Sequence, residues 1–402
     1  MSMSKKVLTA VPPSAGRLFA AFLRLGLTAF GGPSMVEYIR NLAVKKNQWL
    51  DDEIFQSGVA LCQTIPGATA MQTAAYVGYR LHGVLGAASC LLGFGLPAFA
   101  LMMVLSAAYL TMKELPLAVS LFEGLRPIVV AIIANAAFKF GWSGLKTVRH
   151  GAIAGAAALL FFLGLNPIFV IAIAAGLGML LLHSAGNKSG ATGTYPPQDS
   201  SSRVIVLSLI AVFIAFFILF MVNRGLFDLA ALMLRIDLFA FGGGFASVPL
   251  MYHEVVRVRQ WIPSQSFMDG IALGQITPGP IVITATFIGY LLKGPLGAVV
   301  ATIAIFTPSF ILLVCSIPWF DRLRLSPWFN RIMSGILCSF VGLLSTVAIR
   351  FAFALHWNFK AALLGLFAFA ALMMNIDILW VVLMGIAASL LIPVAWQLFG
   401  VA

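Results

Sequence analysis

Two arginines, Arg24 and Arg235, sit inside strongly apolar stretches, and each is followed by the same pair of helix breaks. After Arg24 come Gly31-Gly32-Pro33 and then Gln63-Thr64-Ile65-Pro66-Gly67. After Arg235 come Gly242-Gly243-Gly244 and then Gln275-Ile276-Thr277-Pro278-Gly279. An arginine in a lipid-embedded segment costs about 2.5 kcal/mol or more and is a functional candidate by default. Its planar fork matches a tetrahedral oxyanion better than the point charge of a lysine. A helix that restarts after a Gly-Gly or Pro-Gly break presents unpaired N–H groups and partial positive charge, which suit an anion. Gln63 and Gln275, each three residues before a proline, can donate further hydrogen bonds or can satisfy carbonyls freed by the break. The chemistry predicted is recognition of a small oxyanion at membrane depth. Its candidate residues are Arg24, Gly31, Gly32, Pro33, Gln63, Pro66, Gly67, Arg235, Gly242, Gly243, Gln275, Pro278 and Gly279. For the arginines the competing reading is structural: an Arg235–Asp237 pair, or snorkelling to the interface.

These residues need elements to hold them, and composition says what kind. The 402-residue chain is 61% hydrophobic and only 9% charged, with a mean hydropathy of +1.01. A soluble domain carries about 25% charged residues. Lipid must therefore be the solvent for much of this surface, and the expected class is an all-α, polytopic integral membrane protein with roughly 10–13 membrane segments. Phe30 recurs as Phe241, an offset of 211 residues, and Gln63 as Gln275, an offset of 212. Pro97 and Pro308, Gly124 and Gly335, and Lys139 and Arg350 keep the same register, so the duplication covers nearly the whole chain.

The expected plan is a polar lead (1–15), a first repeat (16–183), a Gly/Ser/Pro-rich linker (184–203), an unpaired apolar helix (204–222) and a second repeat (226–402). Two half-helices joined by Pro-Gly read as a broken span or a re-entrant hairpin, a backbone form tolerated at depth only where protein or water covers it. Transporters are commonly built from two such halves, with the site at midplane between them. Basic loops follow both glycine motifs (Lys45 and Lys46; Arg257 and Arg259), which favours halves of the same orientation. Glu37 and Glu254 read as solvated. Arg126 and Lys139 read as marking the ends of one span, with Asn135 a candidate for its cavity face.

Other classes are poorly supported. The formal charge of +12 is scattered through short loops, as expected of cytoplasmic loops, and no nucleic-acid partner is expected. Cys62, Cys90, Cys315 and Cys338 lie in apolar runs without a CxxC pair and read as small core residues. No HExxH, Walker A or GxSxG pattern occurs, so no catalytic residue, metal or cofactor is expected.

Phe30-Gly31-Gly32-Pro33, the Trp49 segment, Gln63 to Ala68 and Val77-Gly78-Tyr79, with second-half counterparts Phe241 to Gly244, Gln275 to Pro280 and Ile288-Gly289-Tyr290, resemble the chromate transporter family in its long, two-domain form. Gly244 stands where the first half has Pro33, so the halves need not be equal. The resemblance implies a secondary transporter in the bacterial inner membrane that exports chromate from the cytoplasm and confers chromate resistance, with sulfate as a related anion. A sulfate or other oxyanion transporter, or an anion channel, remains an alternative reading, and a homodimer remains open. A dianion leaving a cell that is negative inside gains ~4.6 kcal/mol per 100 mV, which supports an outward gradient of ~10³ at about 90 mV.

Overall fold

The computed structural model describes residues 13–30, 34–182, 202–317 and 326–399. Gly31, Gly32 and Pro33 of the predicted site lie outside the described residues. The described chain is helical, and the two repeats match element by element. The first holds α1 (Ala15–Thr28), α2 (Ser34–Arg40) running on as a π-helix (Asn41–Lys46), α3 (Asp52–Thr64), α4 (Thr69–Met112), α5 (Pro116–Gly144), α6 (Val148–Phe162) and α7 (Pro167–Leu181). The unpaired helix α8 (Ser202–Val222) packs on the second repeat. That repeat holds α9 (Arg224–Leu238), α10 (Ser247–Met251) with its π continuation (Tyr252–Val258), α11 (Ser264–Ile276), α12 (Thr284–Ser316), α13 (Pro327–Phe353), α14 (Phe359–Met373) and α15 (Ile378–Phe399). It begins at Arg224, two residues before the expected 226, because Asn223 Oδ1 caps α9 by accepting from Leu226 N at 3.0 Å. Among the described residues four helices are long and apolar enough to cross a bilayer: Thr69–Met112, Pro116–Gly144, Pro327–Phe353, and Ile281–Ser316, which is α12 with its leading turn.

The Pro-Gly motifs are tips of re-entrant hairpins rather than kinks in a span. Gly67 and Gly279 have φ of +116° and +128°, a backbone region nearly closed to residues with a Cβ, and the chain reverses there. Tyr76 Oη on the outgoing arm donates to Ile54 O on α3 at 3.3 Å, and Gly58 leaves room for the Tyr76 ring. The second repeat does the same with Gly270 beneath Phe287. A second reversal follows in each copy. His82 and Gly83 break α4, and Lys293 and Gly294 break α12. Gly78 lies against Gly86, and Gly289 against Gly297, so each long helix is two antiparallel arms.

The repeats are inverted and interleaved. Helix α13 runs parallel to α6: Gly342 packs on Ala154, Thr346 Oγ1 donates to Ala158 O at 3.1 Å, and Arg350 Nη2 donates to Phe162 O at 2.9 Å. Helix α5 runs antiparallel to α15, with Gly124 at Ser389 and Ile128 at Gly385. Helices α5 and α13 are themselves opposed. Gly141 of α5 meets Val341 of α13, whereas Arg126 of α5 binds α11, whose Phe267 meets Phe351 at the far end of α13. The expectation of same-way halves, drawn from basic loops after both glycine motifs, is corrected: those loops lie on opposite faces. Each repeat thus completes the other's core. Gly178 of α7 and Gly335 of α13 sit so close that a Cβ on Gly335 would overlap the Ala174 carbonyl. Gly335→Leu is expected to part these helices and cost about 1–3 kcal/mol, read as a lower unfolding midpoint of the purified protein. An unchanged midpoint would show that the crossing can open without cost.

Candidate functional site

The reentrant tips from the two repeats meet. Gly67 N donates to Ala240 O at 2.9 Å, and Gly279 N donates to Ala29 O at 3.0 Å. Each Pro-Gly tip is thus pinned to the end of the opposite repeat's first helix. The amides of Gly67 and Gly279, expected to be free for an anion, are engaged, because the repeats cross at these points. Pro66 is held too, its carbonyl accepting from Gln72 Nε2 at 2.6 Å. Pro278 shares the second tip and does not line the cavity described next.

Beside the joined tips lies a cavity of about 750 Å³. Its deep wall combines Gln63, Ala68 and Thr69 of the first tip, Gly242, Gly243 and Gly244 of the opposite glycine loop, and Pro280 and Ile281 of the second tip. Leu337, Cys338 and Val341 of α13 form an apolar side, and Glu37, Arg40, Lys146 and His150 stand towards the rim. Helix α4 begins here with Ala68 at its cap position and no side-chain cap. The first N–H groups of a helix have no partner within it, so the Thr69 and Ala70 amides face this wall with the partial charge of a helix start. Gly242 and Gly243 take φ of +99° and +91°, and their amides have no partner among the described residues. A Cβ on Gly243 would lie 3.0 Å from Thr69 Oγ1, so the hydroxyl and the glycine loop border one space. Unpaired amides, a hydroxyl and the exposed Gln63 amide can together enclose a small anion without a buried countercharge.

The charged groups stay outside that wall. Arg40 makes a bidentate contact with Asp52, at 2.7 and 2.9 Å, and the Arg40 hydrogen bond holds the Asp52 carboxyl below its usual range. The Lys45 ammonium, 3.0 Å from Glu37, likewise lowers the Glu37 carboxyl through their hydrogen bond. Burial, then Lys146, lowers the His150 imidazole. Lys146 has no ion-pair partner among the described residues and remains the free cation at the rim.

The predicted arginines are elsewhere. Arg24 is exposed on α1, opposite the Phe22 and Gly26 face that packs on α4. Arg235 binds Glu254, not Asp237, at 2.5 Å, with Arg259 3.8 Å from the same carboxylate. Glu254 is buried rather than solvated. Neither arginine lines the cavity. Gln275 is buried away from it, its Nε2 unpartnered, so the two glutamines are not equivalent. Asn135 is also buried off the cavity. Arg126, expected at a span end, makes a bidentate pair with Asp269 across the repeats, at 2.8 and 3.0 Å. Thr69 and Lys146 escaped the sequence reading. Thr69 was reachable, since it follows Pro-Gly-Ala directly; Lys146 depends on the long-range path of α5.

A family model described as "Chromate transporter" matches residues 16–179 and 227–390. The chain is 43% identical over 381 residues to an uncharacterized transporter of Methanocaldococcus jannaschii, covering 94% of this chain and 95% of that protein. It is 34% identical over 336 residues to a probable chromate transport protein of Synechococcus elongatus, covering 82% of each. It is 30% identical over 378 residues to a chromate transport protein of Cupriavidus metallidurans, covering 89% and 87% respectively. No solved structure matches.

Proposed function

The chain belongs to the chromate transporter family, and on that footing we propose that it is a multi-pass carrier of chromate whose substrate occupies the cavity between the joined tips. The observation that carries the reading is the convergence of the Thr69 and Ala70 amides with the Gly242–Gly243 loop of the other repeat. The cavity opens among Arg40, Lys146 and His150, on the same face as Lys45 and Lys46. Taken as the cytoplasmic face, it makes the cavity the inward-open form, and the membrane potential then favours export through the inner (plasma) membrane and chromate resistance. The inverted repeats supply the outward-open form by exchanging their conformations.

The donors surround a tetrahedral dianion without reading its central atom, so sulfate is expected to compete. The test is counterflow of labelled chromate in liposomes made with the purified protein, with unlabelled sulfate as competitor. Gly243→Ala forces a Cβ into a left-handed backbone region and towards Thr69 Oγ1. At about 1–3 kcal/mol of strain, chromate counterflow is expected to fall ~10-fold or more. Full counterflow by Gly243→Ala at equal protein level removes the glycine loop from the site. Counterflow of sulfate with none of chromate reassigns the substrate.

A further inference from the structure

Asp237 is 0% exposed on α9. Its Oδ2 accepts from the Ser309 amide at 2.9 Å and from the Ser309 hydroxyl at 2.6 Å, while Oδ1 has no partner among the described residues. No cation faces it. On its own helix Arg235 is taken by Glu254. On α12, Lys293 lies at the other end, beside Gly225. The described side chains of α8 and the side chains of α10 bring no charged group. From the first repeat comes Gln72, also 0% exposed, and the buried Cys62 thiol is turned to Thr73. Gln72 Oε1 is a second buried oxygen without a partner. Gln72 Nε2 and Ser309 Oγ both flank Gly67, where an added Cβ would meet them. Two bare acceptors, from different repeats, thus stand around one tip, and among the described residues neither has a donor.

An ionised carboxylate is costly to bury without a countercharge or a full set of donors. One proton on the carboxyl removes the charge and supplies a donor where two acceptors lack one. The Ser309 hydroxyl that donates to Asp237 also accepts from Ala68 N at 3.1 Å, directly before the Thr69 and Ala70 amides. Ala240 N donates to Asp237 O at 3.1 Å, and Ala240 O holds Gly67 N. The acid is therefore wired to the first tip by a side-chain route and a main-chain route. At the corresponding places in the first repeat stand Gly26 and Ala98, so the chain carries this device once.

We propose that Asp237 is a proton-binding site, and that loading and unloading this proton shifts the Pro66–Gly67 tip, so that a proton is the coupling ion of the carrier. The proton is taken from water at one face and returned to water at the other, with no covalent step. The coupling clause rests on the carrier reading above; the site itself does not.

The site is tested first without substrate. Infrared difference spectra of the purified protein in lipid, taken from acid to alkaline pH, are expected to show a protonated-carboxyl band that Asp237→Asn lacks. Ser309→Ala removes one donor to the ionised form, and is expected to move the midpoint of that band up by about one pH unit. It also serves if Asp237→Asn does not fold. Identical bands in wild type and Asp237→Asn, or an unmoved midpoint in Ser309→Ala, overturn the proton site. Loss of the band on adding sodium, but not choline, overturns the proton in favour of a metal cation. Coupling is then read in liposomes at an alkaline pH where the anion is fully deprotonated. Chromate flux is expected to move protons in wild type, and to lose that movement in Asp237→Asn while chromate–chromate exchange persists. Proton movement unchanged in Asp237→Asn overturns the coupling. A titrating band together with no chromate flux in wild type upholds the site and sinks the carrier reading instead.

Discussion

Arg126→Ala is expected to destabilise the fold by about 3–5 kcal/mol, the range for removing one partner of a buried ion pair. Asp269 is 1% exposed and Arg126 19% at their side chains, so the acid left behind would keep only Tyr109 Oη, which donates to it at 3.0 Å. The pair joins α5 of the first repeat to α11 of the second, and at its counterpart the other half has Leu337 for Arg126. The loss should appear as a lower denaturation midpoint of the purified protein, with cross-repeat contacts opening first. Arg126→Met combined with Asp269→Leu is expected to recover most of the stability, because such a pair repays little beyond its own desolvation. A double variant as unstable as the single one would mean that the pair holds its neighbours by shape rather than by charge.

Gly67→Ala is expected to reduce transport more than any other single methyl group. The residue sits at φ +116°, and an added Cβ would overlap the Ser309 hydroxyl and approach Gln72 Nε2 to 2.8 Å. Strain of about 1–3 kcal/mol is joined by displacement of the tip from Ala240 O, for a combined loss of ~10²-fold or more in flux. Gly83→Ala is the internal control. It too has positive φ, +60°, but nothing lies within 4 Å of the new Cβ. Its cost is backbone strain alone, and flux is expected to fall by less than ~10-fold. Equal losses in the two variants would mean that any left-handed glycine serves and that the tip has no special role. Both are measured as counterflow per reconstituted molecule.

The duplication and the interrupted helices were legible in the residues, because glycine and proline act locally on the backbone. Relative orientation was not. Basic loops after Lys45 and after Arg257 look alike in sequence, and their assignment to opposite faces depends on the reversals at His82–Gly83 and Lys293–Gly294. A single glycine inside an apolar run does not announce such a reversal. The arginines misled for a related reason. Arg24 and Arg235 hold the same register, but only the second repeat supplies a carboxylate, Glu254, where the first has Ala43. Partnerships such as Arg126 with Asp269 join residues 143 apart in different halves, and no periodicity encodes them.

That interleaving also bears on how the chain is made. Residues are added at roughly 5–20 per second, so the 143 positions between Arg126 and Asp269 correspond to roughly 7–30 s of translation. Throughout that wait a bare guanidinium and the open flank of α5 sit in the bilayer. The newborn first half is therefore expected to be more open to quality-control proteolysis than the finished chain, in which α11 covers that flank.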